Sequence, residues 1–173
     1  MRSVSKQIFL NALACPTLGW LMRSGEITKQ IAELSLREKF RIEQGIEIGR
    51  RARELHPSGL LIHDMDMMSA SKKTRSLMSD PNVSIIFEGG FLNDGFAAKA
   101  DILKRKGKGW QLIEVKSSVN DREEFIDDMA YTAMVINRCG FNIFNVSLLL
   151  VSKDFRLGME NERLLAEIDH TDE

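Results

Sequence analysis

The spacing of apolar residues divides this chain into helical and strand-like stretches. Near the start, Ile8, Phe9 and Leu13, then Leu18, Trp20 and Leu21, recur at helical intervals behind Ser5, a suitable cap. Pro16 breaks or restarts that helix. A second helical run extends from about residue 33 to 55, with Phe40, Ile48, Ala52 and Leu55 as its apolar stripe. Gly45 and Gly49 fall four apart on it. A glycine costs about 1 kcal/mol relative to alanine inside a helix, so the pair predicts close backbone approach to a neighbour. Pro57-Ser58-Gly59 marks a turn before the short strand LLIH, and residues 69–79 read as a helix ended by Asp80-Pro81.

The pattern then becomes that of strands: VSIIFEGGF, GFAAKADILKR and GWQLIEVKS. Asn120-Asp121 opens a helix over 121–138, with Phe125, Met129, Ala133 and Ile136 at helical spacing and Gly140 as its stop. IFNVSLLLVS reads as a central strand covered on both faces. The tail NERLLAEIDHTDE reads as acidic and partly helical. Helices before, between and after strands predict an α/β fold, a central mixed sheet flanked by helices, with an N-terminal helical segment. There is no repeat or convincing linker, and residues 1–173 read as a single domain.

Composition narrows the function. A chain with 43% hydrophobic and 28% charged residues is globular, and its net charge of -1 gives no global pull towards a polyanion or a membrane. Any anion site must come from local clustering. Two cysteines, Cys15 and Cys139, lack metal-ligand spacing, which predicts a reducing, cytoplasmic setting; Cys15 reads as a buried small apolar residue. The start is too interrupted by polar residues for a signal peptide, and no apolar run reaches membrane-spanning length, so no membrane partner is expected.

The stretch KADILKRKGKGWQLIEVKSS carries the chemistry. Gly107-Lys108 suits the two-residue turn of a β-hairpin. Counting outward from it sets Lys106 opposite Gly109 and, five residues further on, Asp101 opposite Glu114. Their Cβ atoms would stand about 5 Å apart. Lys116, two residues on, points to the same face. Facing carboxylates repel unless neutralised, and oxygen ligands suit a hard divalent ion. An amine beside such an ion can orient or deprotonate a water, which is the equipment of metal-assisted phosphodiester hydrolysis. The competing reading is a cross-strand salt-bridge ladder on a solvated face. Leu103, Trp110 and Leu112, which would share that face, argue against it.

An Asp on one strand and Glu-x-Lys on the next, preceded by a glutamate-bearing helix, resembles the PD-(D/E)XK nuclease superfamily. The chain is similar in particular to RecB-like nuclease domains found at the N-terminus of longer bacterial proteins, through LACPTLGWL, EQGIEIGRRARELHPSG, IFEGGFLNDGFAAKADIL, GWQLIEVKSS and SLLLVSKDFRLG. The resemblance implies a magnesium or manganese ion held by Asp101, Glu114, the Val115 carbonyl and Glu47 of the first long helix, with Lys116 handling the water. Glu88 matches a glutamate that precedes the Asp strand and supports the site. On the residues alone, Glu47 is better read as a partner for Arg50 or Arg51 on an exposed helix face. The family's glutamine and tyrosine on the following helix fall at Thr132 and Met134, with Tyr131 as a substitute or a packing residue. Some relatives carry an iron–sulfur cluster; with two cysteines, none is expected here. The implied substrate is DNA, single-stranded or at ends, held through its backbone by two basic groups: Lys99 and Lys104, with Arg105, on the hairpin, and Lys72 and Lys73, with Arg75, on the helix before it. The alternative is an inactive module that keeps the fold to bind nucleic acid or a protein partner.

Overall fold

The computed structural model describes residues 2–27, 35–63 and 66–172. β1 (Val4–Ser5) runs into α1 (Lys6–Ala14) and α2 (Pro16–Ser24). After them come α3 (Leu36–Glu54), β2 (Leu60–Leu61), α4 (Met67–Ser79), β3 (Ile85–Asn93), β4 (Phe96–Lys106), β5 (Gly109–Lys116), α5 (Glu123–Arg138), β6 (Ile143–Val151) and β7 (Leu165–Asp169). The first residues of the second predicted helix, 33 and 34, lie outside the described residues.

The local signals that start and stop these elements are those in the sequence. The Ser5 hydroxyl accepts from the Ile8 N–H, and Pro16 sits in the first turn of α2, where its missing N–H is harmless. Ser35 and Glu38 cap α3 reciprocally, and Asp66 accepts from the Met68 and Ser69 N–H groups at the start of α4. Beyond α5, Gly140 takes the left-handed conformation, φ 85°, that a glycine tolerates best.

The strands form one mixed sheet in the order β2-β3-β4-β5-β6-β7, with β1 paired to β4 off that path. β3, β4 and β5 are an antiparallel meander, and α5 crosses over to bring β6 parallel to β5. On one face α4 and α5 cover Ile86, Phe91, Leu103 and Leu112. On the other, α3 contributes Ala52 to a cluster with Phe87, Ile102, Ile113 and Leu149. Both faces of the sheet are therefore buried where the site lies. No described helix is long and apolar enough to cross a membrane.

Some expectations need correcting. The tail forms strand β7 along β6, preceded by a 3-10 turn, Asn161–Arg163; Leu165 alone of the strand is buried, so no apolar period marked it in the sequence. α5 starts at Glu123, behind Arg122 and not at Asn120-Asp121. Only the C-terminal part of α3 packs: Ala52 is buried while Phe40 is 59% exposed. Gly45 and Gly49 do not admit a neighbouring backbone. A Cβ at Gly45 would meet nothing within 4 Å, and one at Gly49 only Arg53 Nη1 at 3.7 Å. Cys15 is exposed, and only Cys139 is buried.

Candidate active site

The hairpin has the predicted register. Gly107 turns the chain at φ 59°, and pairing runs from Lys106↔Gly109 to Ile102↔Ile113. Asp101 and Glu114 occupy the next step, where the two strands part. β5 continues beside β6, with Glu114↔Leu148 and Lys116↔Leu150. β1 lies along the vacated stretch of β4, with Val4↔Phe96 and Ser5↔Ala97. Asp101 thus sits in a fork between β1 and β5. Its Oδ2 accepts the Val115 N–H at 2.8 Å, taking over from the β4 carbonyl that continued pairing would have supplied.

Glu114 and Lys116 point to the α5 side, as do Trp110 and Leu112. Glu114, 2% exposed, accepts on Oε1 from Lys6 Nζ at 2.7 Å and from Lys116 Nζ at 3.0 Å. Lys116 also donates to Asp128 Oδ2, and Lys6 Nζ lies 2.6 Å from Asp128 Oδ1. Two acids and two ammoniums alternate around a closed ring. Burial disfavours the charge on each lysine, but Glu114 and Asp128 more than offset it, and both lysines are held above the usual range. Lys116 is therefore an ammonium and not an amine ready to take a proton. The Asp101 carboxyl shifts the other way for its class: burial first, then the charge of Glu114, raises it well above the usual carboxylate range.

On the α3 side, Asp101 and Val115 form the floor of a cavity of about 130 Å³, with Gly45, Gly49, Arg53 and Glu88 around it. The bare Cα atoms of the two glycines open this space. Glu88 holds the β3 position opposite Asp101, between the pairs Phe87↔Ile102 and Gly89↔Ala100. It does so at φ 60°, a strained backbone for a residue with a side chain. Lys99 Nζ lies 2.9 Å and Arg53 Nη1 3.6 Å from its carboxylate.

The structure does not bring Glu47 into this group. Its carboxylate accepts from Arg50 Nε at 2.8 Å, Arg50 Nη2 at 2.6 Å and Arg51 Nε at 2.8 Å on an exposed face, which pulls the carboxyl down to about 2. It borders a separate hollow with Ser117 and Val151. Among the described residues no three His, Cys, Asp or Glu side chains are gathered closely enough to form a ready cation cage. Lys99 lies beside Asp101, whereas Lys72, Lys73 and Lys104 are exposed on α4 and β4. Two other basic residues do structural work: Arg105 donates to the carbonyls of Met78, Asp80 and Val83 over the Trp110 ring, and Arg75 to that of Cys139.

Tyr131 packs. Its ring stacks on Phe9 with centroids 4.7 Å apart, and its hydroxyl donates to the carbonyls of Val4 at 2.5 Å and Ala97 at 3.2 Å. It clamps β1 against β4 and so sets one wall of the fork. Tyr131→Phe is expected to lower stability by about 1 kcal/mol, measured by urea unfolding, because it removes the hydroxyl that bridges the Val4 and Ala97 carbonyls. Thr132, where the resemblance would set a glutamine, is buried and donates to the Asp128 carbonyl one turn back.

Lys6 and Arg53 were not among the site residues read from the sequence, and neither was Asp128. Asp128 left a signal, since it falls between Phe125 and Thr132 on the inward stripe of α5, where an acid needs a partner. Lys6 left none, because only β1 pairing brings it to the hairpin. The donor set fits a divalent cation on one observation: the buried Glu114 Oε2 has no hydrogen-bond partner among the described residues. A hard carboxylate oxygen of this kind has the chemistry that a divalent cation prefers. Comparison with known families finds no family model that matches the chain, and no curated protein matches it.

Proposed function

We propose that this domain is a nuclease of the PD-(D/E)XK kind, hydrolysing DNA phosphodiesters with magnesium or manganese as cofactor. The observation that carries the reading is the bare, buried Oε2 of Glu114 at the fork where Asp101 meets Glu114-Val115-Lys116. Asp101, Glu114 and the Val115 carbonyl would hold the ion, which when bound supplies an acidified water and positive charge for the phosphate. Lys116, kept charged by Glu114 and Asp128, orients a water by donating to it and offsets negative charge on the reacting phosphate. Lys99 and Arg53 flank the cavity and are placed to meet backbone phosphates; Lys72, Lys73 and Lys104 extend that contact outward. Glu88 supports the pair by holding Lys99 and Arg53 in position. The two cysteines and the absence of any membrane-spanning helix among the described residues support a cytoplasmic setting.

The test is cleavage of single- and double-stranded DNA in magnesium, manganese or chelator by wild type, Asp101→Ala and Lys116→Ala. Cleavage by wild type alone, and only with metal, supports the reading; equal cleavage by all three proteins sinks it. The second reading, a module that binds without cutting, draws on the charge ring: Lys6 and Lys116 balance the charges of Glu114 and Asp128. It is favoured if wild type retains DNA but leaves it intact in every metal.

A further inference from the structure

One charge in the ring comes from neither the hairpin nor α5. Lys6 opens α1 directly after β1, and the pairing Ser5↔Ala97 delivers it to the fork. There its Nζ stands between the two carboxylates, 2.7 Å from Glu114 Oε1 and 2.6 Å from Asp128 Oδ1. An ammonium is a compact cation that can move on a flexible stem. The two lysines of the ring are anchored differently. Lys116 rises from a strand paired to β6 and lies 5.6 Å from the centroid of the Phe125 ring. Lys6 is the first residue of α1 and borders an open groove of about 310 Å³ shared with Gln7, Met67, Lys99 and Asp101.

We propose that Lys6 is a tethered counter-ion of the carboxylate site. It supplies the positive charge that a divalent cation brings when it binds Glu114 and Asp101, and the cation's arrival drives Lys6 Nζ out into the groove. The proposal rests on the metal-site reading above. Repulsion from a divalent ion held by Glu114 and Asp101 falls on Lys6, the ammonium of the ring whose groove also contains Asp101. Once released, its charge lies beside Lys99, where a DNA phosphate would pass, so cation loading and phosphate capture are coupled through one side chain.

The experiment compares thermal unfolding of wild type, Lys6→Met and Asp101→Ala in chelator and across a manganese chloride titration. Lys6→Met is expected to melt lower than wild type in chelator, and to be stabilised at a manganese concentration about tenfold lower, a coupling of ordinary size. A second measurement needs no variant: acylation of Lys6 in wild-type protein, followed by peptide mass spectrometry, is expected to quicken when manganese is added while that of Lys116 does not. This decides the matter if Lys6→Met fails to fold. Equal manganese midpoints in wild type and Lys6→Met, or Lys6 acylation indifferent to manganese, overturn the counter-ion role and leave the metal site standing. No manganese response in any protein overturns both.

Discussion

Asp128→Ala is expected to destabilise the fold by about 3 kcal/mol or more. Asp128 faces Lys6 on one oxygen and Lys116 on the other, with its side chain 9% exposed. Its removal leaves two ammoniums to share Glu114, and breaking a buried pair from one side typically costs about 3–5 kcal/mol. The lysine side chains are 25% and 22% exposed, so water recovers part of the loss and the low end applies. In a domain of this size that is a fall of roughly 6–12 °C in Tm. The bond from the Thr132 hydroxyl to the Asp128 carbonyl survives the substitution, so the deficit measures the carboxylate and not the helix. Asp128→Asn, which keeps an acceptor but no charge, should lose less. A change under about 0.5 kcal/mol, within the range of an ordinary surface substitution, would show that the lysines find water as easily as they find Asp128.

The parts of the site legible in the sequence are those set by short-range rules. A glycine at the first central position of the turn fixes the register, and register places Asp101 level with Glu114. Strand alternation then puts Lys116 on the face of Glu114. Residues brought in by topology could not be read in this way. Lys6 lies 108 positions from Glu114 in the chain, and only the parallel pairing of a two-residue strand unites them. Glu47 was legible as an ion-pair partner, and its ligand role came only from the resemblance. Helical spacing correctly placed it on α3, but the same spacing put Arg50 and Arg51 within reach, and local pairs form before distant ones are needed. The glycines of α3 carried real information in the wrong sense: they leave room over Asp101, where the sequence suggested room for a neighbour.

The second large effect is on the pH dependence of stability, and it belongs to Asp101. Burial and the charge of Glu114 raise its carboxyl to about 8, against the Val115 N–H, Lys6 and Lys116, which pull it down. In the unfolded chain it titrates near pH 3.9. Between about pH 4 and pH 8 the folded protein therefore holds a proton that the unfolded chain has released, and stability falls as pH rises through that window. The contribution is complete below the unfolded value and gone above the folded one. Lys6 and Lys116, both raised, stay charged throughout and add no slope there. Urea unfolding of wild type in chelator should thus show declining stability from pH 5 to pH 8, and Asp101→Asn, which carries no proton to lose, should remove that decline. Saturating manganese should flatten the wild-type curve as well, because a cation that displaces the proton removes the difference between folded and unfolded protonation. A wild-type slope that persists in Asp101→Asn would mean that another group titrates in the fork and that Asp101 is already ionised in the folded protein.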